Sequence, residues 1–196
     1  MSIMGIILLP PPLEIDFPLS RAIRERRSIR SFKEDTLTLE EMATLLWAGQ
    51  GITDERRKLR ASPSAGALYP LTLYLVNHSG VFRYLPEKHA LETVKRGDVR
   101  YKLCLAALGQ PWVREAPCTI VIAGDVNITA KRYGDRAWRY VWIEVGHTAQ
   151  NILLQAVALG LGGVPVGAFY DEKVHEVLNL PPNEDVLYLI PIGRPR

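Results

Sequence analysis

Between Trp138 and Leu159, apolar side chains fall at Trp142, Val145, Ala149, Ile152, Leu153, Ala156 and Leu159. This three-to-four-residue spacing holds for about six helical turns and predicts one long helix. Such a helix needs a layer to lie on, and the runs LTLYLVN (71–77), CTIVIAG (118–124) and VLYLIPI (186–192) supply one. CTIVIAG reads as a strand buried on both faces, and LTLYLVN with VFRYL (81–85) reads as a hairpin turning at 78–80. The expected class is α+β, with a mixed sheet flanked by helices around a long central helix. It forms a single domain over 1–196, with 1–17 as an N-terminal extension.

Shorter helices are punctuated by their caps. Pro18 suits the first turn of a helix carrying Leu19, Ala22 and Ile23. Thr38 and Glu41 form a capping box ahead of Met42, Leu45 and Leu46, with Gly49 at the exit. Val99, Leu103, Ala106 and Ala107 mark a helix ending near Gly109, and Asp171 to Leu178 another with Val174 and Val177 inward. SPSAGALYP (62–70) and GLGGVPVG (160–167) are too rich in Gly, Pro and Ser for anything but loops.

Composition narrows the functions. With 24 basic against 21 acidic residues the net charge is only +3, so bulk electrostatics do not demand a nucleic-acid partner. Cys104 and Cys118 lie outside any CxxC spacing in apolar surroundings, which predicts buried free thiols, a reducing compartment and no structural zinc. The opening MSIMGIILLPPP lacks the basic flank and cleavage site of a secretory signal, and no apolar run reaches spanning length. The expectation is a cytoplasmic protein with no membrane partner.

Several chemistries lack their motifs. There is no GxxxxGK[ST] and no GxSxG, and the glycines of GLGGVP follow a helix instead of opening one. Glu144–His147 and Glu172–His175 each spell ExxH, the pair used in di-iron bundles, but that architecture needs two further inward glutamates on four helices. No metal site is expected. His147 is read as packed or hydrogen-bonded on the long helix, and His175 as exposed.

ERRSIRSF (25–32) then asks for an explanation. Arg26, Arg27, Ser28 and Arg30 at a helix end offer guanidinium forks and a hydroxyl suited to a phosphoester, and Arg194 in the tail GRPR gives a second basic point. A solvated basic face is the competing reading on these residues alone.

RRSIRSF, PSAGALYP, the helix-to-loop run GHTAQNILLQAVALGLGGVPVGAF and the closing IPIGRP resemble, in order from Arg26 to Arg194, the flavin-dependent nitroreductase family. PSAGALYP, VFRYLPEKHAL and YGDRAWRY are most similar to its SagB-type branch, the azoline dehydrogenases of thiazole and oxazole peptide biosynthesis. The resemblance implies an intertwined homodimer with FMN at the subunit interface, and an oxidoreductase working by ping-pong hydride transfer. NAD(P)H or an azoline-like substrate would be the donor, and a peptide is among the substrates it admits. Arg26, Arg27, Ser28 and Arg30 would contact the flavin phosphate, ribityl chain and pyrimidine edge, with Arg194 completing the phosphate clamp. Pro63, Ser64, Ala65, Gly66 and Leu68 would come from the other subunit, and Pro165, Val166, Gly167 and Ala168 would lie along the ring. Two positions depart from the family. Gly167 stands where many members carry an acid, and Arg132–Tyr133 stands where the azoline branch has a Lys–Tyr base. An arginine makes a poor base, which leaves Tyr133 as proton donor, substrate contact or packing residue. A flavin- or nucleotide-binding regulator with little turnover is the alternative.

Overall fold

The computed structural model describes residues 5–196, so the first four residues of the N-terminal extension lie outside it. Among the described residues nine strands occur: β1 (Ile6–Leu8), β2 (Ile52–Asp54), β3 (Leu59–Arg60), β4 (Leu71–Asn77), β5 (Gly80–Leu85), β6 (Ala90–Arg96), β7 (Cys118–Gly124), β8 (Gly162–Gly163) and β9 (Asp185–Gly193). The helices are α1 (Leu19–Glu25), α2 (Leu39–Gln50), α3 (Arg100–Ala106), α4 (Pro111–Glu115), α5 (Val126–Tyr133), α6 (Ala137–Ala158) and α7 (Asp171–Leu178). Seven strands pair in the order β1-β6-β5-β4-β7-β9-β8, while β2 and β3 form a separate small hairpin. Every ladder is antiparallel, and the one parallel pairing is an isolated bridge between Ser28 and Gly163.

The side-chain alternation of the central strands divides the core into two layers. Leu73, Leu75, Ile120, Ile122, Ile190 and Ile192 face α2 and α6, where Leu45, Leu46, Val145, Ile152 and Leu153 meet them. Tyr74, Val76, Val121, Ala123 and Leu189 face the other way, onto Leu103 of α3 and Val174 and Leu178 of α7. β7 is buried at all seven positions, as its unbroken apolar run predicts.

α2 starts with the predicted capping box: Thr38 Oγ1 accepts from the Glu41 amide at 3.2 Å, and Glu41 Oε2 accepts from the Thr38 amide at 2.8 Å. The long helix matches the predicted span to within a residue or so, but its stripe needs correcting. Trp142 is 51% exposed and stacks on Trp138, itself 41% exposed, at 5.8 Å between ring centroids. The buried stripe keeps the predicted Val145, Ala149, Ile152, Leu153 and Ala156, and Val141, Glu144 and Thr148 belong to it in place of Trp142. His147 is exposed instead of packed, and His175 is half-buried with Nε2 donating to the Pro181 carbonyl at 2.9 Å. Charged Glu92, Lys95 and Arg96 concealed strand β6 from sequence reading. β2 and β3, three and two residues long, are too short to carry a strand signal in the sequence.

Candidate functional site

The RRSIRSF segment is stitched into the far edge of the sheet, against residues more than a hundred positions away. The Ile29 amide donates to the Gly163 carbonyl at 3.1 Å, the Lys33 amide to the Arg194 carbonyl at 2.9 Å, and the Arg196 amide to the Ser31 carbonyl at 3.3 Å. Gly162 permits this closeness, because a Cβ there would meet Ile29 Cγ1 at 2.5 Å. The basic cluster, the Gly-rich exit of α6 and the tail therefore share one seam.

The arginines of this seam differ in their engagements. Arg26 and Arg30 make no ion pair among the described residues, and Arg30 lies over the Trp112 ring at 5.5 Å. Arg27 turns back on its own helix, donating through Nη1 to the carbonyls of Arg24 at 2.9 Å and Arg26 at 2.7 Å. It serves there as a cation at the α1 C-terminus. Arg194 is held by Glu41 at 2.8 Å and by Asp35 at 3.3 Å, with Nη1 buried and without a partner among the described residues. The carboxylates around Arg194 were not foreseen from sequence, although Glu41 was already singled out as a cap.

Downstream on the same edge, Val166 exchanges backbone hydrogen bonds with Leu189, at 2.8 and 3.0 Å. Pro165 is half-buried, whereas Gly167 and Ala168 turn outward. A Cβ on Gly167 would meet only Tyr188, at 3.6 Å, so the approach there is open.

A second group is built on the SPSAGALYP loop. Ser62 is buried and donates to the Gly49 carbonyl at 2.8 Å, anchoring the loop to the end of α2. Ser64 Oγ accepts from the Tyr69 amide at 2.9 Å. Pro63 is exposed, while Ala65 and Leu68 are half-buried. Gly66 has φ 63°, and a Cβ on it would meet Arg132 Nη1 at 2.8 Å and Tyr133 Oη at 2.9 Å. The loop tip thus lies directly against the two residues the sequence put forward as catalytic, and Tyr133 packs on Tyr140 of α6 with centroids 4.8 Å apart.

Beneath this loop sits a group that sequence reasoning did not assign. Glu144 is only 2% exposed, and its Oε1 has no hydrogen-bond partner among the described residues. Burial pushes its carboxyl up to about 7, against the lowering influence of the Ser64 and Gln50 side chains and the Arg60 charge. Arg60 donates to Gln50 Oε1 at 3.0 Å, Gln50 donates to Thr148 Oγ1 at 2.9 Å, and the Arg60 guanidinium stacks on Tyr69 at 4.6 Å. Burial lowers the pKa of Arg60, with Glu144 opposing the shift. The available signal was a carboxylate falling on the apolar stripe of the long helix. Its ExxH spacing drew it toward a metal reading, yet among the described residues no three His, Cys, Asp or Glu side chains are placed to share an ion. No hydrogen bond or ion pair joins this group to the seam among the described residues.

The sheet is flanked on both faces by helices, and at its far edge glycines open the backbone beside the basic segment. A profile of the nitroreductase family matches residues 23–194, and the chain belongs to that family. MJ1384 of Methanocaldococcus jannaschii, named as a nitroreductase, is 43% identical over 191 residues, covering 94% of each chain. Among solved structures, a nitroreductase-type protein from Ralstonia eutropha JMP134 superposes with a TM-score of 0.88 at 26% identity, covering 97% of this chain and 90% of that one. The NADPH:FMN oxidoreductase of Vibrio harveyi, solved with NAD+, gives 0.68 at 26% identity over 90% of this chain and 68% of its own. The Escherichia coli microcin synthetase McbBCD, solved with truncated pro-MccB17, gives 0.75 at 22% identity over 97% and 78%, which marks a shared fold. Among the described residues no helix is long and apolar enough to cross a membrane.

Proposed function

We propose that the protein is an FMN-dependent oxidoreductase, with the flavin bound between two copies of the chain and NAD(P)H or an azoline-like substrate as donor. The observation that carries this reading is the seam: among the described residues, Arg26 and Arg30 stand without ion pairs on a segment fixed beside the open Gly167–Ala168 edge. Guanidinium forks held this way suit a phosphoester and the electron-rich edge of a ring that gains negative charge on reduction. Arg26, Ser28 and Arg30 would hold the cofactor, with Arg27 fixing the end of α1 behind them. Arg194 is half-buried, and its buried Nη1, without a partner among the described residues, is the donor that a phosphate oxygen would satisfy. Bound flavin would supply two-electron storage, taking hydride from one substrate and passing it to the next.

The separation of the two groups supports the dimer. Among the described residues, Ser64, Gly66, Arg132 and Tyr133 form a surface with no hydrogen-bonded link to the seam of their own chain, which suits a site completed by the partner's loop. Exposed Trp138 and Trp142, stacked on one side of α6, are apolar surface that a second copy would cover. Purified protein should be a yellow dimer, taking up one FMN per chain, and anaerobic NADH or NADPH should bleach it. Colourless protein that refuses added FMN would overturn the proposal. FMN binding without bleaching by either nucleotide would favour an azoline-type donor or the regulatory alternative, which a screen of azoline peptides separates.

A further inference from the structure

On the sheet face opposite α2 and α6, helices α3 and α7 lie beside strand β6 and leave a groove of about 370 Å³. Part of its lining is apolar, from Leu105, Ala106 and Val177, and the rest is mainly basic, with Lys95, Lys102 and Lys173 against the single carboxylate of Glu176. None of the three lysines is in an ion pair among the described residues. Two of them are held in place. Lys95 Nζ donates to the Val177 carbonyl in the last turn of α7 at 2.9 Å, and Lys173 Nζ lies over the Tyr170 ring at 4.2 Å. The Tyr170 amide donates to the Ala106 carbonyl at 2.9 Å, which fixes the start of α7 against α3. The apolar lining continues outward along α3. Leu105 is 53% exposed, and Tyr101, one helical turn earlier, is 57% exposed with the Arg114 guanidinium over its ring at 5.2 Å.

We propose that this groove docks an acidic protein segment, with carboxylates over Lys102 and Lys173 and an apolar side chain set against Leu105 and Val177. Charge selects this occupant. Three cations to one anion attract carboxylates, and the apolar lining between them gives the segment an anchor that fixes its register. A second copy meeting this face across a two-fold axis would set lysine against lysine. An anionic lipid surface, being flat, would also meet Asp171, Glu172 and Glu176, all of which α7 exposes. A narrow acidic segment lying between the helices avoids both conflicts. The two hydrogen bonds that pin α7 hold the groove preformed, which lowers the ordering cost of docking. None of the lining residues belongs to the basic seam or to the SPSAGALYP loop, so the docking role is independent of the flavin reading.

Fluorescence anisotropy of short fluorescein-labelled peptides against the full chain tests this. One peptide set is rich in Glu and carries a leucine or phenylalanine, a matched set replaces the apolar residue with serine, and a third replaces Glu with Lys. The acidic apolar set should bind, the serine set about tenfold more weakly, and the basic set not at all. Affinity should fall about tenfold between low and physiological salt. Lys102→Glu combined with Lys173→Glu should weaken binding about tenfold or more, and Leu105→Ser about fivefold. All three side chains are exposed, so unfolding midpoints should stay at the wild-type value, and Lys102→Gln with Lys173→Gln gives the same comparison if charge reversal disturbs the fold. Acidic apolar peptides that bind no better than the serine set, or whose affinity ignores these substitutions, overturn the proposal. Binding to phosphatidylserine vesicles that the double substitution abolishes also overturns it, by making the face a lipid contact. So does a fall in light-scattering mass for Leu105→Glu, which would make it a contact between copies.

Discussion

Glu41 joins the start of α2 to the tail, and breaking that joint should cost a predictable amount. One carboxylate oxygen closes the capping box on the Thr38 amide, and the other accepts from Arg194 Nη2, both at 2.8 Å. Glu41→Gln can keep the cap with its amide oxygen but turns an NH2 toward the guanidinium, so it isolates the ion pair from the cap. A charge-assisted hydrogen bond contributes about 1.5–3 kcal/mol, and a fully buried pair broken on one side loses about 3–5 kcal/mol. The Arg194 side chain is 32% exposed and retains Asp35, which argues for the lower figure, about 2 kcal/mol. Thr38→Ala should separately cost about 1 kcal/mol through the cap alone. Urea unfolding of wild type, Glu41→Gln, Arg194→Met and the double variant forms a cycle whose coupling energy should be about 2 kcal/mol. In a chain of this size that corresponds to a melting shift of about 4–8 °C. A coupling below about 0.5 kcal/mol, the usual error of additivity, would show that Glu41 and Arg194 do not act as a pair.

Other outcomes follow from the same structure. The folded pKa of Glu144, about 7, lies above its unfolded value of 4.5, so its contribution is complete below pH 4.5 and is lost as pH rises through 7. The stability gap between Glu144→Gln and wild type should therefore change by about 3 kcal/mol in the variant's favour between pH 4.5 and pH 8, and a pH-independent gap would contradict the burial argument. Gly66→Ala should displace Arg132 or Tyr133 and strain a left-handed φ, costing about 1–2 kcal/mol in chemical denaturation and weakening FMN uptake, whereas an unaltered variant would mean the tip does not press on those side chains. Cys118 is fully buried with its thiol pushed up to about 12, so a thiol reagent should leave it unlabelled in folded protein and label it once denaturant is added. Trp142→Glu should shift light-scattering mass from dimer to monomer and abolish FMN binding together, and a monomer that still binds would refute the shared site.

Fold and site were legible in the sequence to different depths, for physical reasons. Strong periodicity survived translation into structure: the long helix, the capped helix at Thr38, the β4–β5 hairpin and the unbroken run of β7 stand where the residues placed them. The edge strand β1 and its neighbour β6 did not, because β1 pairs on one side only and β6 carries charges toward water, which erases the apolar signal. For the site, RRSIRSF, the Gly-rich exit and the tail could be nominated separately. What brings them together is backbone pairing across more than a hundred residues, and single-sequence patterns carry no information on such pairs. The partners that decide each arginine's freedom, Glu41 and Asp35 on Arg194 and the helix-end carbonyls on Arg27, were equally hidden. Trp142 misled because its spacing is helical whether the face it marks covers the sheet or awaits another surface.

The stitching of residues 28–32 to Gly163 and to the tail joins points far apart along the chain, at the end of the sheet. Loops that long close late on the way to the native state. Affinity for a phosphorylated ligand at that edge would then report completed folding instead of any partial structure, and the ligand would stabilise only molecules whose last crossing had been made.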